Sequence, residues 1–248
     1  MAGDGLRAVV TGGGRGIGRA VSAALSGAGW HVTILGRSEA PLRETVAAGE
    51  ASAWHACDVT DAEALTAVLR DLGPLDALIN NAGGAETAPF ARTDAALVRR
   101  MLALNVESVF TATRAVLPAM QERGGGRIVS IASTAGLKGY PYVSAYVAAK
   151  HAVIGMTRAL ALETARTGVT VNAVCPGFTD TDLVRGGVAN IVAKTGRSEE
   201  EALASMTKVN PQGRLVRPDE VADAVLWLCG TAAGAVTGQA IAVAGGEV

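Results

Sequence analysis

Tyr146 and Lys150 stand four residues apart in the stretch Ser133 to Lys150, STAGLKGYPYVSAYVAAK, and on a helix that spacing makes them neighbours on one face. The helix is predicted by Ala148 and Ala149 and by the apolar positions Ile154, Met156, Leu160 and Leu162 beyond them. An ammonium beside a phenol lowers the phenol's pKa, so Tyr146 could exchange a proton near neutral pH. Ser133 lies thirteen positions earlier, just after the apolar run Arg127 to Ala132, which reads as a buried parallel strand. A hydroxyl at the carboxyl end of such a strand can point into the crevice where open α/β sheets bind ligands. A Tyr-x-x-x-Lys spacing also occurs as a half-buried tyrosine beside a solvated lysine, so this chemistry requires a nucleotide site elsewhere in the chain.

The elements that would position these groups alternate along the 248 residues. Short β-branched runs at Arg7–Val10, Val32–Leu35, Ala51–Ala56, Leu75–Ile79, Arg127–Ala132, Thr170–Val174 and Ile241–Val243 give seven candidate strands. Helical patterns fall near 16–28, 39–48, 61–72, 94–120, 144–166 and 218–229. Repeated βα units predict an α/β fold, a doubly wound parallel seven-stranded sheet with helices on both faces, in a single domain over 1–248. Residues 178–216 break the rhythm with an acidic helix-favouring stretch, Glu199 to Leu203, and no strand, and are expected to form a lid over the substrate.

Composition excludes several classes of function. A net charge of −1 provides no field for nucleic acid. Met1 to Gly5 carries no leader pattern and no window reaches eighteen uninterrupted apolar residues, so the expectation is a cytoplasmic protein without a membrane span. Cys57, Cys175 and Cys229 are far apart and His31, His55 and His151 form no ligand pattern; the thiols read as reduced and buried, and no metal site is expected.

The nucleotide site is predicted directly after the first strand. Thr11-Gly-Gly-Gly-Arg-Gly-Ile-Gly18 leads into a helix, where glycines Gly12, Gly14, Gly16 and Gly18, with Arg15 and Ile17, let the backbone approach a pyrophosphate at the helix N-terminus. The second strand ends Leu35-Gly-Arg-Ser38: Gly36 stands where a carboxylate would hold a ribose 2′-hydroxyl, and Arg37 with Arg15 could grip a 2′-phosphate, favouring NADPH over NADH. Asp58, followed by Val59, could accept from an adenine amino group or simply cap a turn. Asn80-Asn81-Ala82-Gly83 would sit at the same sheet edge, and Asn105, an amide within the apolar run Met101 to Val106, must find partners of its own.

These pieces, in this order, make the chain resemble the short-chain dehydrogenase/reductase family over essentially its whole length: TGGGRGIG at 11–18, Asp58-Val59, NNAG at 80–83, Asn105, Ser133, Tyr146-x-x-x-Lys150 and Pro176-Gly-Phe-Thr-Asp-Thr181. The resemblance implies a Rossmann-type fold and hydride transfer between a nicotinamide and a carbonyl or secondary alcohol. It makes Tyr146 the general acid in reduction, Ser133 the hydroxyl that orients the substrate oxygen, Lys150 the ribose ligand that depresses the Tyr146 pKa, and Asn105 the holder of a water linked to Lys150. Pro176, Gly177, Thr179 (through its backbone) and Thr181 would meet the nicotinamide end. Ala165 to Phe178 and Val236 to Gly246 look like 3-oxoacyl-thioester reductases and polyketide ketoreductases. Gly84 to Phe90, however, departs from the proline-glycine-glycine element common in the polyketide enzymes. The implied partners are a small-molecule or acyl-thioester substrate and three further copies of the chain, a homotetramer. The alternatives are an NAD-dependent 3-hydroxyacyl-CoA or secondary-alcohol dehydrogenase, and a nucleotide-binding scaffold without turnover.

Overall fold

The computed structural model describes residues 5–248. The expectation drawn from Met1 to Gly5 therefore falls almost wholly outside the described residues. Seven strands, β1 (Arg7–Thr11), β2 (His31–Gly36), β3 (Ala53–Ala56), β4 (Ala77–Asn80), β5 (Gly126–Ile131), β6 (Val169–Pro176) and β7 (Ala240–Val243), form one sheet in the order β3-β2-β1-β4-β5-β6-β7. Each adjacent pair is parallel. Strands covered on both faces need apolar residues at consecutive positions, which is how β1 reads: Ala8 and Val10 enter the core on one face and Val9 the core on the other.

The helices are α1 (Gly16–Gly27), α2 (Glu39–Ala47), α3 (Ala62–Asp71), α4 (Ala95–Leu102), α5 (Ser108–Glu122), α6 (Ser144–Thr164), α7 (Asp182–Thr195), α8 (Glu199–Thr207) and α9 (Pro218–Cys229). Val21 and Leu25 of α1, Leu42 of α2 and Val221, Val225 and Leu228 of α9 share one core. Leu65 and Leu69 of α3, Ala112, Val116 and Met120 of α5 and Ala161 of α6 fill the other. The sheet order reverses at β1, flanked by β2 and β4, so the loops after β1 and β4 open a crevice at the carboxyl edge.

Two expectations need correction. The single helix expected over 94–120 is interrupted: α4 and α5 are joined by one π-helical turn, Ala103–Glu107, which carries Asn105. Interruptions of this kind favour functional positions. The 178–216 segment holds two helices rather than the one acidic stretch. Glu199 to Leu203 does open α8, fixed by a capping box in which Ser198 Oγ accepts from Glu201 N at 3.1 Å and Glu201 Oε2 from Ser198 N at 3.0 Å. α7 escaped the sequence reading because Gly186 and Gly187 in its middle are poor helix formers. Both ends of the segment are pinned together, Asp180 N donating to Val216 O at 2.9 Å and Val216 N to Phe178 O at 2.8 Å.

Candidate active site

The loop after β1 is built to present its backbone. Gly12 and Gly16 adopt φ of 67° and 50°, the left-handed region that glycine enters without strain. A Cβ on Gly18 would overlap the Gly12 carbonyl and the Asn81 amide, so only glycine lets α1 begin here. α3, α4 and α8 are capped by the side chains of Asp61, Asp94 and Ser198, whereas Arg15 at the cap of α1, like the cap residues of α2, α6 and α7, makes no such bond. The first-turn N–H groups of α1, including those of Ile17 and Gly18, therefore have no capping side chain among the described residues. Such a helix start favours a phosphate.

Asn81 and Thr11 hold this loop. Asn81 Nδ2 donates to the carbonyls of Thr11 at 2.9 Å and Gly12 at 3.2 Å, while Thr11 Oγ1 accepts from Asn81 N and Ala82 N, both at 3.0 Å. The Asn81 amide nitrogen is thus spent on bracing the glycine turn, and its backbone N–H is held by Thr11. Thr11 was missed as a functional position; at the end of an apolar strand its hydroxyl reads as β-propensity alone.

At the expected ribose end, Arg15 and Arg37 are both exposed. Arg15 lines a cleft of about 320 Å³ with Gly14, Arg19, Glu44 and Asp182, and Arg37 stands apart from that cleft. Arg37 lies beside Asp58, whose pKa is held low, first by hydrogen bonds from Thr60 and to a lesser degree by the Arg37 charge. Asp58 Oδ1 accepts from Thr60 N at 2.9 Å and Thr60 Oγ1 at 2.8 Å, so the turn-capping role is real and Oδ2 is the oxygen left over. Val59 is buried in the core under α3.

Ser133, Tyr146 and Lys150 come together at the carboxyl ends of β5 and β6. Ser133 Oγ accepts from Ala135 N at 3.0 Å, which fixes the hydroxyl at the start of the loop to α6. Lys150 is 5% exposed; its Nζ donates to the Ile131 carbonyl at 2.8 Å and lies 5.6 Å from the Tyr146 ring centre. Burial pulls the Lys150 amine down to about 8. The expected depression of the Tyr146 pKa is not what this arrangement gives. Burial raises the phenol, and the opposing influence is the Ser133 hydroxyl rather than Lys150. Cys175 of β6, read as a buried structural thiol, is fully buried next to these groups, and burial pushes it up to about 11.

Asn105, 1% exposed in its π-helical turn, finds its partners in backbone: Nδ2 donates to the carbonyls of Gly84 and Met101, both at 3.0 Å, and Oδ1 accepts from Gly84 N at 3.2 Å. A Cβ on Gly83 would stand 2.8 Å from Asn105 Oδ1 and 3.5 Å from Lys150 Nζ, so Gly83 keeps open the gap between these two groups. Pro176 ends β6, paired with Val243. Beyond it Thr179 is buried with Oγ1 donating to Gly177 O at 3.0 Å. The Thr181 methyl would lie 3.1 Å from a Cβ on Gly16, placing Thr181 across from the glycine loop. Tyr142, in the loop to α6, takes φ 67°, costly for a bulky residue, and its carbonyl accepts from Ala88 N at 2.8 Å. The 84–90 and 134–143 loops thereby meet through a backbone hydrogen bond.

A family model described as short chain dehydrogenase matches residues 7–191. The chain is 43% identical over 252 residues to a Streptomyces coelicolor protein named "Putative ketoacyl reductase", with 96% of this chain and 95% of that protein covered. It is 37% identical over 248 residues to an acetoacetyl-CoA reductase of Shinella zoogloeoides, with 97% of each chain covered. Among solved structures, actinorhodin polyketide ketoreductase with NADPH superposes with a TM-score of 0.93 at 40% identity, covering 98% of this chain and 97% of that one.

Proposed function

The chain belongs to the short-chain dehydrogenase family, and from that premise we propose that it uses NADPH to reduce a ketone, by preference a 3-oxoacyl thioester, to a secondary alcohol. The observation that carries the reading is the convergence of Ser133, Tyr146 and Lys150 beside an α1 start without a side-chain cap. The glycine cradle, whose residue 18 admits no Cβ, fits a dinucleotide: Gly12 to Gly18 would hold its pyrophosphate, the free oxygen of Asp58 its adenine amino group, and Lys150 its nicotinamide ribose. A bound nicotinamide cofactor supplies the hydride.

The chain's own residues supply orientation and the proton. Ser133 Oγ donates to the substrate carbonyl oxygen and sets the face presented for reduction. Tyr146, whose burial keeps its phenol protonated at neutral pH, delivers the proton to that oxygen as charge develops. Lys150 spends one of its N–H bonds on Ile131 O and keeps the others for the ribose and for the gap beside Gly83, where Asn105 Oδ1 retains an acceptor position for a water.

Three finer features belong to the same reading. The 178–216 segment acts as a lid, hinged where Phe178 and Val216 meet. The chain assembles as a homotetramer, an assignment supported by the exposed Phe110 of α5 and Leu162 of α6, 54% and 82% accessible in the single chain. The location is cytoplasmic: the three cysteines are free thiols, and no helix among the described residues is long and apolar enough to cross a membrane. The acyl-thioester preference draws on the names of the two curated relatives. The test is oxidation of NADPH against a panel of ketones, 3-oxoacyl thioesters and secondary alcohols, repeated with NADH and with Tyr146→Phe. A Tyr146→Phe variant at full rate would refute the proton assignment, and a clear NADH preference would refute the cofactor assignment.

A further inference from the structure

We propose that Glu247 is a positioning residue of the substrate pocket: its carboxylate ties the loop between Ser133 and Tyr146 to the turn after β7, which packs on the 178–216 segment, and so sets the spacing of the walls a ketone must pass. The inference rests on the reading of Ser133 and Tyr146 as the reacting pair.

After β7 the chain turns through Gly245 and Gly246, at φ of 62° and 94°. The turn packs onto the 178–216 segment, since a Cβ on Gly245 would overlap the side chain of buried Asn210. Glu247 then points inward, its side chain 1% exposed. Its Oε1 accepts from the Tyr140 hydroxyl and pairs with Lys138 Nζ at 3.0 Å, while its backbone carbonyl accepts from the same ammonium at 3.3 Å. The Tyr140 hydroxyl is also bonded to Thr134 Oγ1 at 2.7 Å, and Thr134 directly follows Ser133. The Tyr140 ring stands edge-on to Phe178, centroids 6.0 Å apart, at the pinned root of the segment.

A carboxylate is an inefficient filler for such a place. Oε2 meets no donor among the described residues and lies 3.0 Å from where a Cβ on Gly177 would stand. An apolar residue of similar volume would cost less to bury, so the gain from Glu247 is directional: two charge-assisted contacts converge on the loop that carries Ser133. Without them the loop meets the segment's root chiefly through one aromatic edge, and the entrance can widen.

The experiment compares Glu247→Leu, Glu247→Gln, Tyr140→Phe and the Glu247→Leu/Tyr140→Phe double variant of the full chain, with Tyr146→Phe as reference. Expected is a fall of about ten-fold in kcat/KM for short ketones with Glu247→Leu, carried mainly by KM and smaller for bulky ketones. Glu247→Gln, which still accepts from Tyr140, recovers most of it. NADPH affinity, read by fluorescence, stays within about two-fold of the parent, and the double variant is no worse than the worse single one, as for groups acting through one contact. The inference is overturned if Glu247→Leu leaves kcat/KM within about two-fold for ketones of every size, if NADPH affinity falls in proportion, or if the two substitutions multiply. Should Glu247→Leu fail to fold, Glu247→Gln and Tyr140→Phe decide: Tyr140→Phe must reproduce the short-ketone loss, or the inference fails. If Tyr146→Phe keeps full rate, the catalytic reading falls; if it is inactive while the Glu247 variants match the parent, the inference alone falls.

Discussion

Replacing Lys150 by methionine should make the protein more stable and inactive. In the unfolded chain the amine titrates near 10.5, whereas burial lowers it to about 8 in the fold. Keeping it protonated at neutral pH therefore costs roughly 2.5 units, or about 3 kcal/mol at 1.36 kcal/mol per unit. The substitution removes that cost but orphans the Ile131 carbonyl, which now accepts from Nζ at 2.8 Å, a loss of about 1–2 kcal/mol. A net gain of about 1–2 kcal/mol remains, enough to raise the thermal midpoint by roughly 2–8 °C in a chain of this size. Its pH dependence identifies the cause. Between about pH 8 and 10.5 the unfolded parent binds more protons than the folded one, so parent stability rises with pH across that window. The advantage of Lys150→Met should be full below about pH 8, disappear within the window and give way by pH 10.5 to a deficit of about 1–2 kcal/mol, the lost bond to the Ile131 carbonyl. Urea unfolding of both proteins at neutral and alkaline pH measures it, alongside an expected loss of at least about a hundred-fold in kcat/KM. A variant less stable than the parent at pH 7, or equally displaced at all pH values, would refute the assignment of Lys150 as a buried ammonium held against its own stability.

Gly83→Ala should lower kcat by about ten-fold or more, because the methyl would stand 2.8 Å from Asn105 Oδ1 and displacements of this scale in a reacting geometry are expensive; unchanged kinetics would show that the gap has no role. Gly18→Ala should abolish NADPH binding in a fluorescence titration, since its Cβ meets the Gly12 carbonyl. Asn81→Ala should cost about 1–3 kcal/mol in chemical unfolding and weaken NADPH binding, because two backbone carbonyls of the glycine turn lose their donor. Ser198→Ala, removing the cap of α8, should lower stability by about 1 kcal/mol with little effect on NADPH affinity.

Much of this molecule is legible in the sequence because parallel strands buried on both faces declare themselves as apolar runs. All seven fall on the expected runs, most of them rich in β-branched residues, with ends displaced by a few residues, as at β3, where Ala51 and Ser52 precede the paired strand. The conjunction of Ser133, Tyr146 and Lys150 was equally open to reading, because helical periodicity and a strand end fix their relative placement. The bracing of the glycine turn by Asn81 and Thr11 was not, because it depends on side-chain direction between residues 70 apart. The same holds for Glu247 against Tyr140, 107 residues away, where a lone glutamate after two glycines gives no local signal. The effect of burial on Tyr146 and Lys150 depends on how much protein surrounds them, which a motif does not contain.

The π-helical turn at Ala103–Glu107 amounts to a one-residue phase shift within a helix. Each residue advances an α-helix by about 100°, so one extra residue rotates everything after it by that angle relative to everything before. The core-facing set of α4, Leu97 and Met101, and that of α5, Val109, Ala112 and Val116, therefore belong to two different registers. Deleting a single residue from this turn would leave both helices free to form, yet only one could face its own neighbours. Asn105 marks the seam: its amide is bonded to Met101 on one side and to Gly84 across the crevice, so the offset that directs each helix into its own core also fixes the distance from the glycine-rich edge to Lys150.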